Sequence, residues 1–204
     1  MKKIPTLFKR EFEGHNIVRI LPEVTPGFEW VLEGEGQATL KWDGACCAAI
    51  DGTFYKRFDA KKGRAIPAAA IPCCEPDPVT GHWPHWVPVR LDKPEDKWFV
   101  EAANRYNQEL EHYTGERLLD KDATYEAIGQ HFQGNPYGYT EDTLVKHGAY
   151  ILELPDRSFG AIACYLAANE IEGIVFWKDG QPQCKIKRTD FGFSWPLKKA
   201  GENK

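Results

Sequence analysis

The chain has 204 residues, of which 42% are hydrophobic and 27% are charged, enough for one large domain or two small ones with a sizeable core. Its formal net charge of -4 excludes a protein that coats nucleic acid through bulk positive charge. No apolar run suits a transmembrane helix and no signal-peptide core follows the start, so the sequence predicts a cytoplasmic protein with no membrane partner.

The first 30 residues predict short strands and loops, because Pro22 and Pro26 interrupt any long helix. Residues 28–40 predict a strand, a turn at Gly34-Glu35-Gly36, and a second strand that ends at Leu40. The short strands and loops of residues 1–30 are expected to pack against the main sheet.

An Asp51-Gly52 pair separates two strand-like runs and is typical of a two-residue hairpin turn. In this register Ile50 faces Thr53, and Cys46 faces Arg57 on the neighbouring strand. The proline-rich residues 65–94 predict an ordered surface loop.

The second half alternates helices and strands. Residues 93–115 predict a helix, and residues 124–129 predict a strand. Residues 147–154 predict a further strand, and Ser158 is expected to cap a short helix.

A C-terminal hairpin carries the strongest physical signal. An Asp179-Gly180 turn sets a register that puts Ile174 opposite Lys185 and Glu172 opposite Lys187. Because strand side chains alternate, one carboxylate and two ammonium groups converge on one face of the hairpin. A lone Glu–Lys pair would be only a surface ion pair, but the second lysine favours a site for phosphate and metal.

Six cysteines are present, and they form neither a disulfide framework nor a zinc pattern. Four of them stand in the adjacent pairs Cys46-Cys47 and Cys73-Cys74. We interpret them as reduced, small hydrophobic side chains. A mixed metal site of His82, His85 and Cys73 is the less favoured alternative.

Two runs of basic residues are candidates for phosphate binding on an otherwise acidic chain, and the alternative is a solubilising surface. The runs are Lys56, Arg57, Lys61, Lys62 and Arg64, and then Lys185, Lys187 and Arg188.

Lys41 stands where a short strand meets the turn Trp42-Asp43-Gly44. A lysine in this place is held by its backbone while its amine points into a cleft. The amine becomes a nucleophile when it loses its proton, which burial and cationic neighbours promote. Four residues alone are weak support, because solvated Lys-x-Asp-Gly turns are common.

Five short motifs stand in the order used by the covalent nucleotidyltransferases, which this chain resembles. They are Lys41-Trp42-Asp43-Gly44, Lys56-Arg57-Phe58, residues 125–129, residues 172–176 and Lys185-Ile186-Lys187. Within that superfamily the chain resembles the small ATP-dependent 5′–3′ RNA ligases that include vertebrate RNA ligase 1. The shared stretches are residues 43–47, 81–89, 128–129 with 134–138, 147–150 and 171–175, and Ala45 departs from the Thr or Ser of many relatives.

The resemblance implies an α+β adenylation domain of ATP-dependent ligases, with antiparallel sheets around a nucleotide cleft. It implies one domain over residues 1–196, a polar tail over 197–204 and no C-terminal OB domain. The implied activity joins a 5′-phosphate to a 3′-hydroxyl of RNA through lysyl-AMP and RNA-adenylate. The implied partners are RNA ends, and a monomer is consistent with the sequence.

The resemblance also assigns roles to particular residues. Lys41 would attack the α-phosphate of ATP, with its pKa lowered by the neighbouring cations, while Lys185 and Lys187 hold that phosphate. Glu172 would bind Mg²⁺ or Mn²⁺, and Glu75 is a weaker metal candidate. The nucleotide contacts would further include Leu40, Arg57, Glu126 on the ribose hydroxyls, and Tyr150 stacked on adenine unless it is a core tyrosine.

Two other functions remain open at this stage. A capping-type guanylyltransferase shares the first motif, but it needs an OB-type domain after the last one, and the chain ends soon after Lys187. A non-catalytic module that binds nucleotide or RNA would be favoured only without Lys41. A covalent adduct with ATP, with GTP, or with neither separates the three.

Overall fold

A computed structural model describes residues 3–14, 16–60, 65–78 and 80–197. The fold is α+β with antiparallel strand pairs in every sheet. The strands are β1 (Phe8–Glu13), β2 (Asn16–Val24), β3 (Gln37–Lys41), β4 (Ala45–Ile50), β5 (Thr53–Ala60), β6 (Ile71–Pro72), β7 (Trp83–Pro88), β8 (Ala123–Ile128), β9 (Thr143–Lys146), β10 (Gly173–Lys178) and β11 (Gln181–Lys187). The α-helices are α1 (Glu29–Leu32), α2 (Lys97–Thr114) and α3 (Phe159–Ala168), and short 3₁₀ turns span Pro94–Asp96, Leu118–Asp120 and Arg188–Phe191.

The chain divides into two compact units. The six-stranded unit contains Asp43–His147, and the three-stranded unit contains Ile4–Trp42 together with the chain from Gly148 onward. The first motif is therefore split, because Lys41 belongs to the three-stranded unit and Gly44 to the six-stranded unit.

The three-stranded unit has two sheets, β1-β2 and β11-β10-β3. Its core is closed by α3, which buries Ile162 and Leu166 on one face. The predicted cap is confirmed, since the Ser158 hydroxyl accepts a hydrogen bond from the N–H of Ala161 at 3.3 Å. Helix and sheet thus hold β3 and β10 side by side.

The C-terminal hairpin departs from the predicted register. Lys178 pairs with Gln181 across the turn, but a bulge between Trp177 and Phe176 shifts every later pair by one residue. Lys187 therefore lies opposite Gly173 rather than Glu172. The physical reason is local: Pro182 has no N–H to donate, and the side-chain amide of Gln183 donates to the carbonyl of Lys178 at 3.3 Å.

The six-stranded unit is one sheet in the order β6-β7-β5-β4-β8-β9, packed against α2. The β4–β5 hairpin has the predicted register, with Ile50 opposite Thr53. The predicted helix is confirmed as α2, which ends at Gly115 in the left-handed conformation.

The prediction of a loop over residues 65–94 is wrong in part. Trp83–Pro88 forms β7 and pairs with β5, so His85 and Trp86 are buried. The prolines suggested a loop, but Pro84 and Pro88 occupy positions that leave the ladder of β5 intact.

Two other segments differ from the sequence predictions. The strand predicted from residue 28 is instead α1, a run too short for periodicity to separate helix from strand. The strand predicted over residues 147–154 is replaced by β9 over Thr143–Lys146. Gly148, with a φ of +81°, turns the chain away, and Ile151 then makes a single bridge to Thr39. Among the described residues, no helix combines the length and apolarity needed to cross a bilayer.

Candidate active site

The three-stranded unit places three lysines on one face of its sheet. Ile174 and Ile186 are fully buried on the other face and lie opposite each other in β10 and β11. Strand side chains alternate, so Lys185 and Lys187 point away from that core. Lys41 lies opposite Gly173 from the β3 side and shares their face.

Glu172 joins two of these lysines. Its Oε2 lies 2.5 Å from Nζ of Lys41, and its Oε1 lies 2.6 Å from Nζ of Lys187. The carboxylate side chain is only 5% exposed, so both ion pairs form in a largely desolvated place. The predicted Glu172–Lys187 pair is thus confirmed despite the register shift, because Glu172 lies just before β10 and bends toward both lysines.

Gly173 makes this arrangement sterically feasible. A Cβ at this position would lie 2.2 Å from the Ile186 carbonyl oxygen and 3.0 Å from the Lys187 Cα. Those contacts are too short for a real side chain, so only glycine allows β11 to approach so closely. The glycine also leaves the space between Lys41 and Lys187 to the Glu172 carboxylate.

Tyr150 presents an exposed aromatic ring in the same unit. Its side chain is 57% exposed, so the alternative of a core tyrosine is wrong. Its ring meets that of Trp42 edge to face at 5.3 Å, and its carbonyl accepts the N–H of Leu40 at 2.9 Å. Leu40 lies opposite Ile174 and so faces the core side of β3, not the side of Lys41.

Glu126 fixes the turn that follows the lysine motif. Its Oε1 accepts the N–H of Gly44 at 3.1 Å, within the six-stranded unit. The neighbouring N–H of Asp43 donates to the Tyr137 hydroxyl at 2.6 Å. A Cβ on Gly44 would lie 2.2 Å from the Ala127 carbonyl oxygen, so the turn packs directly onto β8.

His147 and Cys46 accompany Glu126 and were not predicted as site residues. The His147 Nε2 lies 2.9 Å from Glu126 Oε2, and its Nδ1 lies 2.9 Å from the Thr124 hydroxyl. Burial, together with the Glu126 carboxylate, raises the pKa of the Cys46 thiol to about 12. The sequence carried one signal, since Cys46 and His147 stand in the stretches 43–47 and 147–150 that resemble the RNA ligases.

Arg57 lies on β5 of the same unit. Its Nε donates to Asp59 at 2.8 Å, and Asp59 also lies 3.3 Å from Nε2 of His82. Burial would lower the pKa of Arg57, but the Asp59 carboxylate outweighs it and raises the pKa above its ordinary value. Lys56 points to the opposite face and pairs with the buried Asp96 beside α2, which is a structural role.

Some described residues of the two basic runs have structural roles rather than exposed phosphate-binding ones. Arg188 is buried and donates to the carbonyls of Asn169 and Ser194, at 2.8 and 3.0 Å, so it fastens the end of α3. Lys61, Lys62 and Arg64 of the other run lie outside the described residues. Glu75 is exposed in the turn after β6. The set His82, His85 and Cys73 does not bring three ligand atoms together within the described ranges.

Comparison with known proteins places the chain in a family. The model of the RNA ligase 1 family matches residues 55–203, which is well over half of the sequence. The chain therefore belongs to the RNA ligase 1 family. The matched segment contains the family-like residues Arg57, Glu126, Tyr150, Glu172, Lys185 and Lys187, while Lys41 precedes it.

Individual relatives agree with this assignment. The chain is 30% identical over 158 residues to RNA ligase 1 of Pongo abelii, an alignment that covers 65% of this chain and 48% of that protein. It is 28% identical over 159 residues to RNA ligase 1 of Rattus norvegicus, with the same coverage of 65% and 48%. RNA ligase 1 of Danio rerio is 27% identical over 146 residues, 57% of this chain and 43% of that protein. The chain thus spans about half the length of the curated relatives it matches.

Proposed function

We propose that this protein is an ATP-dependent RNA ligase that joins a 5′-phosphate to a 3′-hydroxyl through lysyl-AMP and RNA-adenylate. The observation that carries the proposal is the cluster of Lys41, Glu172 and Lys187, in which one buried carboxylate contacts two ammonium groups. Membership of the RNA ligase 1 family supports it independently.

Lys41 is the proposed nucleophile. As an ammonium paired with Glu172 it only donates hydrogen bonds, so attack requires the proton to leave and the pair to open. The neutral Nζ then forms a bond to the α-phosphorus of ATP, and the bond from that phosphorus to pyrophosphate breaks. The exposed edge of this lysine face leaves the amine reachable, since Lys41 is 21% exposed.

Glu172 fits a hard divalent cation, because it offers two carboxylate oxygens, each of which already contacts a positively charged group. Mg²⁺ bound there would screen the phosphate oxygens of ATP. A cation held by Glu172 would take the place of Lys41 and Lys187 at its two oxygens. Lys187 and Lys185 would hold the α-phosphate and stabilise its developing charge.

The remaining roles rest on the family resemblance and on local geometry. Tyr150 offers an exposed ring for stacking on adenine, and Glu126 a carboxylate for the ribose hydroxyls. Arg57 is assigned to a nucleotide phosphate. Nucleotide contact by Leu40 and metal binding by Glu75 stay predictions.

The two later steps are displacements at phosphorus like the first. An oxygen of the RNA 5′-phosphate attacks the phosphorus of lysyl-AMP, and the amine of Lys41 leaves and regains a proton. The RNA 3′-hydroxyl then attacks the 5′-phosphate, loses its proton, and displaces AMP. Each step is a displacement at phosphorus, in which positioning and charge stabilisation supply most of the catalysis.

The proposal is tested by joining 5′-phosphorylated RNA with wild type, Lys41→Ala and Lys178→Ala. Lys178 lies on the same sheet and pairs with Glu35 at 2.6 Å, so its variant is the matched control. Wild type and Lys178→Ala should join the ends, and Lys41→Ala should not. Lys41→Ala should still join RNA that is already adenylated, whereas equal joining of ordinary RNA by all three proteins would contradict the proposal.

A further inference from the structure

Three side chains of types that ligate metal ions meet on one face of the six-stranded sheet. Cys46 of β4 lies directly opposite Glu126 of β8, and Glu126 lies opposite Val145 of β9. His147 stands two residues after Val145, so alternation returns its side chain to the same face. Register alone therefore collects a thiol, a carboxylate and an imidazole at one point.

The distances bring the three groups within the range of a single ion. One ligand atom from each of Cys46, Glu126 and His147 lies within 4.8 Å of the other two. Two of these atoms, His147 Nε2 and Glu126 Oε2, are 2.9 Å apart. None of the three residues is fully buried, and the side chains of His147 and Glu126 are 15% and 13% exposed, which leaves a route from solvent.

The surroundings hold the ligands in place. The second nitrogen of His147 meets the Thr124 hydroxyl at 2.9 Å, and the backbone N–H of His147 donates to the Thr124 carbonyl at 3.0 Å. The second oxygen of Glu126 accepts from Gly44 at 3.1 Å. Outer contacts of this kind orient metal ligands in proteins. Arg57 is the opposing cation nearby, and it is paired with Asp59.

We propose that Cys46, Glu126 and His147 bind a thiophilic divalent cation of the zinc class, with water as the fourth ligand. A thiolate, an imidazole nitrogen and a carboxylate are the ligands that Zn²⁺ takes in open tetrahedral sites. Mg²⁺ is disfavoured here because it prefers oxygen ligands alone.

Binding sets the position of two protons, and the geometry allows both. The Cys46 thiol gives its proton to solvent and forms the metal–sulfur bond. His147 binds the cation through Nε2 as the neutral tautomer that carries its proton on Nδ1, where the Thr124 hydroxyl accepts it. The cation thus takes the place of the present contact between His147 Nε2 and Glu126 Oε2.

The consequence rests on the proposed function. Glu126 is the carboxylate proposed for the ribose hydroxyls of ATP, and a cation bound to Oε2 takes it out of that role. Zinc-class ions should therefore inhibit the transfer of AMP to Lys41 while Mg²⁺ supports it. The bound cation would regulate the enzyme by competing with the nucleotide for the Glu126 carboxylate.

Cobalt(II) tests the site without ATP or RNA. In phosphine-reduced, chelator-free buffer, wild type should show thiolate-to-cobalt charge-transfer absorption that saturates at one ion per chain, and zinc should abolish it. Cys46→Ser should lose that absorption, while Cys164→Ser, which changes an exposed cysteine of α3, should keep it. Thr124→Val keeps all three ligands and should weaken affinity by about 10-fold or more.

A second arm measures how zinc affects label transfer from ATP in the presence of magnesium. Zinc should inhibit label transfer by wild type and by Cys164→Ser. The same fractional inhibition of Cys46→Ser should require about 10-fold more zinc, when each rate is expressed relative to that protein's zinc-free rate. Cobalt absorption that survives in Cys46→Ser, or is absent from wild type, overturns the inference and leaves the ligase proposal standing. Absence of any label without zinc defeats the ligase proposal, and the cobalt result is unaffected.

Discussion

The Nζ of Lys41 lies 2.5 Å from Oε2 of Glu172, although the two residues are 131 positions apart in the chain. The pair is formed by the pairing of β3 with β10, which puts Lys41 opposite Gly173. This contact pairs the amine of the proposed nucleophile with a carboxylate that is only 5% exposed. Glu172 is therefore the group whose release of Lys41 would begin the reaction.

Glu172→Gln should reduce adenylylation by about 100-fold or more, because metal stabilisation of phosphoryl charge is worth several kcal/mol. The amide also leaves Lys41 and Lys187 without their shared counter-charge. The rate of label transfer from ATP measures this. Glu153→Gln, at an exposed position of the same unit, is the control and should stay near wild type. An active Glu172→Gln protein would remove Glu172 from the mechanism.

Gly173→Ala should destabilise the fold by about 1–3 kcal/mol, since the added Cβ meets the Ile186 carbonyl at 2.2 Å. The strand must shift, so the contact from Glu172 to Lys187 should be lost and activity with it. Urea unfolding and label transfer measure the two effects. Gly160→Ala adds the same methyl group in α3, where nothing lies within 4 Å, and should stabilise slightly. Equal stability of Gly173→Ala and wild type would contradict the geometry.

Tyr150→Ala should raise the KM for ATP by roughly 10-fold, because stacking of a base on an aromatic ring is worth about 1–3 kcal/mol. Tyr150→Phe should retain the wild-type value, since the ring remains. Stability should change little because the side chain is 57% exposed. Tyr113→Ala, at an exposed position of α2, is the control. An unchanged KM in Tyr150→Ala would exclude this tyrosine from nucleotide binding.

Stability should fall at alkaline pH through Tyr125. Burial and the neighbouring Tyr106 raise the pKa of Tyr125 from 10.0 to about 12 in the folded protein. The folded state then keeps a proton that the unfolded state has lost, so the stabilisation is complete below pH 10.0 and disappears as the pH approaches about 12. The free energy of unfolding from urea titrations should decline over this window, less steeply in Tyr125→Phe than in Tyr113→Phe. Identical slopes in the two variants would refute the assignment.

Much of the candidate site was readable from the sequence because strand alternation and turn chemistry are local. The Asp51-Gly52 turn gave the correct β4–β5 register, and the convergence of Glu172 with Lys187 was also predicted. The contact between Lys41 and Glu172 was not, because it depends on which strand lies beside β10. No local pattern specifies that neighbour.

The errors have related causes. The bulge at Gln183 compensates for a proline in the ladder, and a turn fixes only the first pairs of a hairpin. His147 was not predicted as a site residue because it directly follows the end of β9. The sequence pattern had instead predicted a strand over residues 147–154. Arg188 was a candidate for phosphate binding, but it is buried and donates to the carbonyls of Asn169, just after α3, and of Ser194.

The most direct test of the account is the covalent adduct itself. Incubation with α-labelled ATP and magnesium, followed by denaturation and peptide mass spectrometry, should locate AMP on Lys41, and Lys41→Ala should remain unlabelled while Lys178→Ala is labelled. Labelling by GTP instead of ATP would indicate a capping-type transfer. Absence of any adduct in wild type, or AMP bound to another residue, would contradict the central claim that Lys41 forms lysyl-AMP.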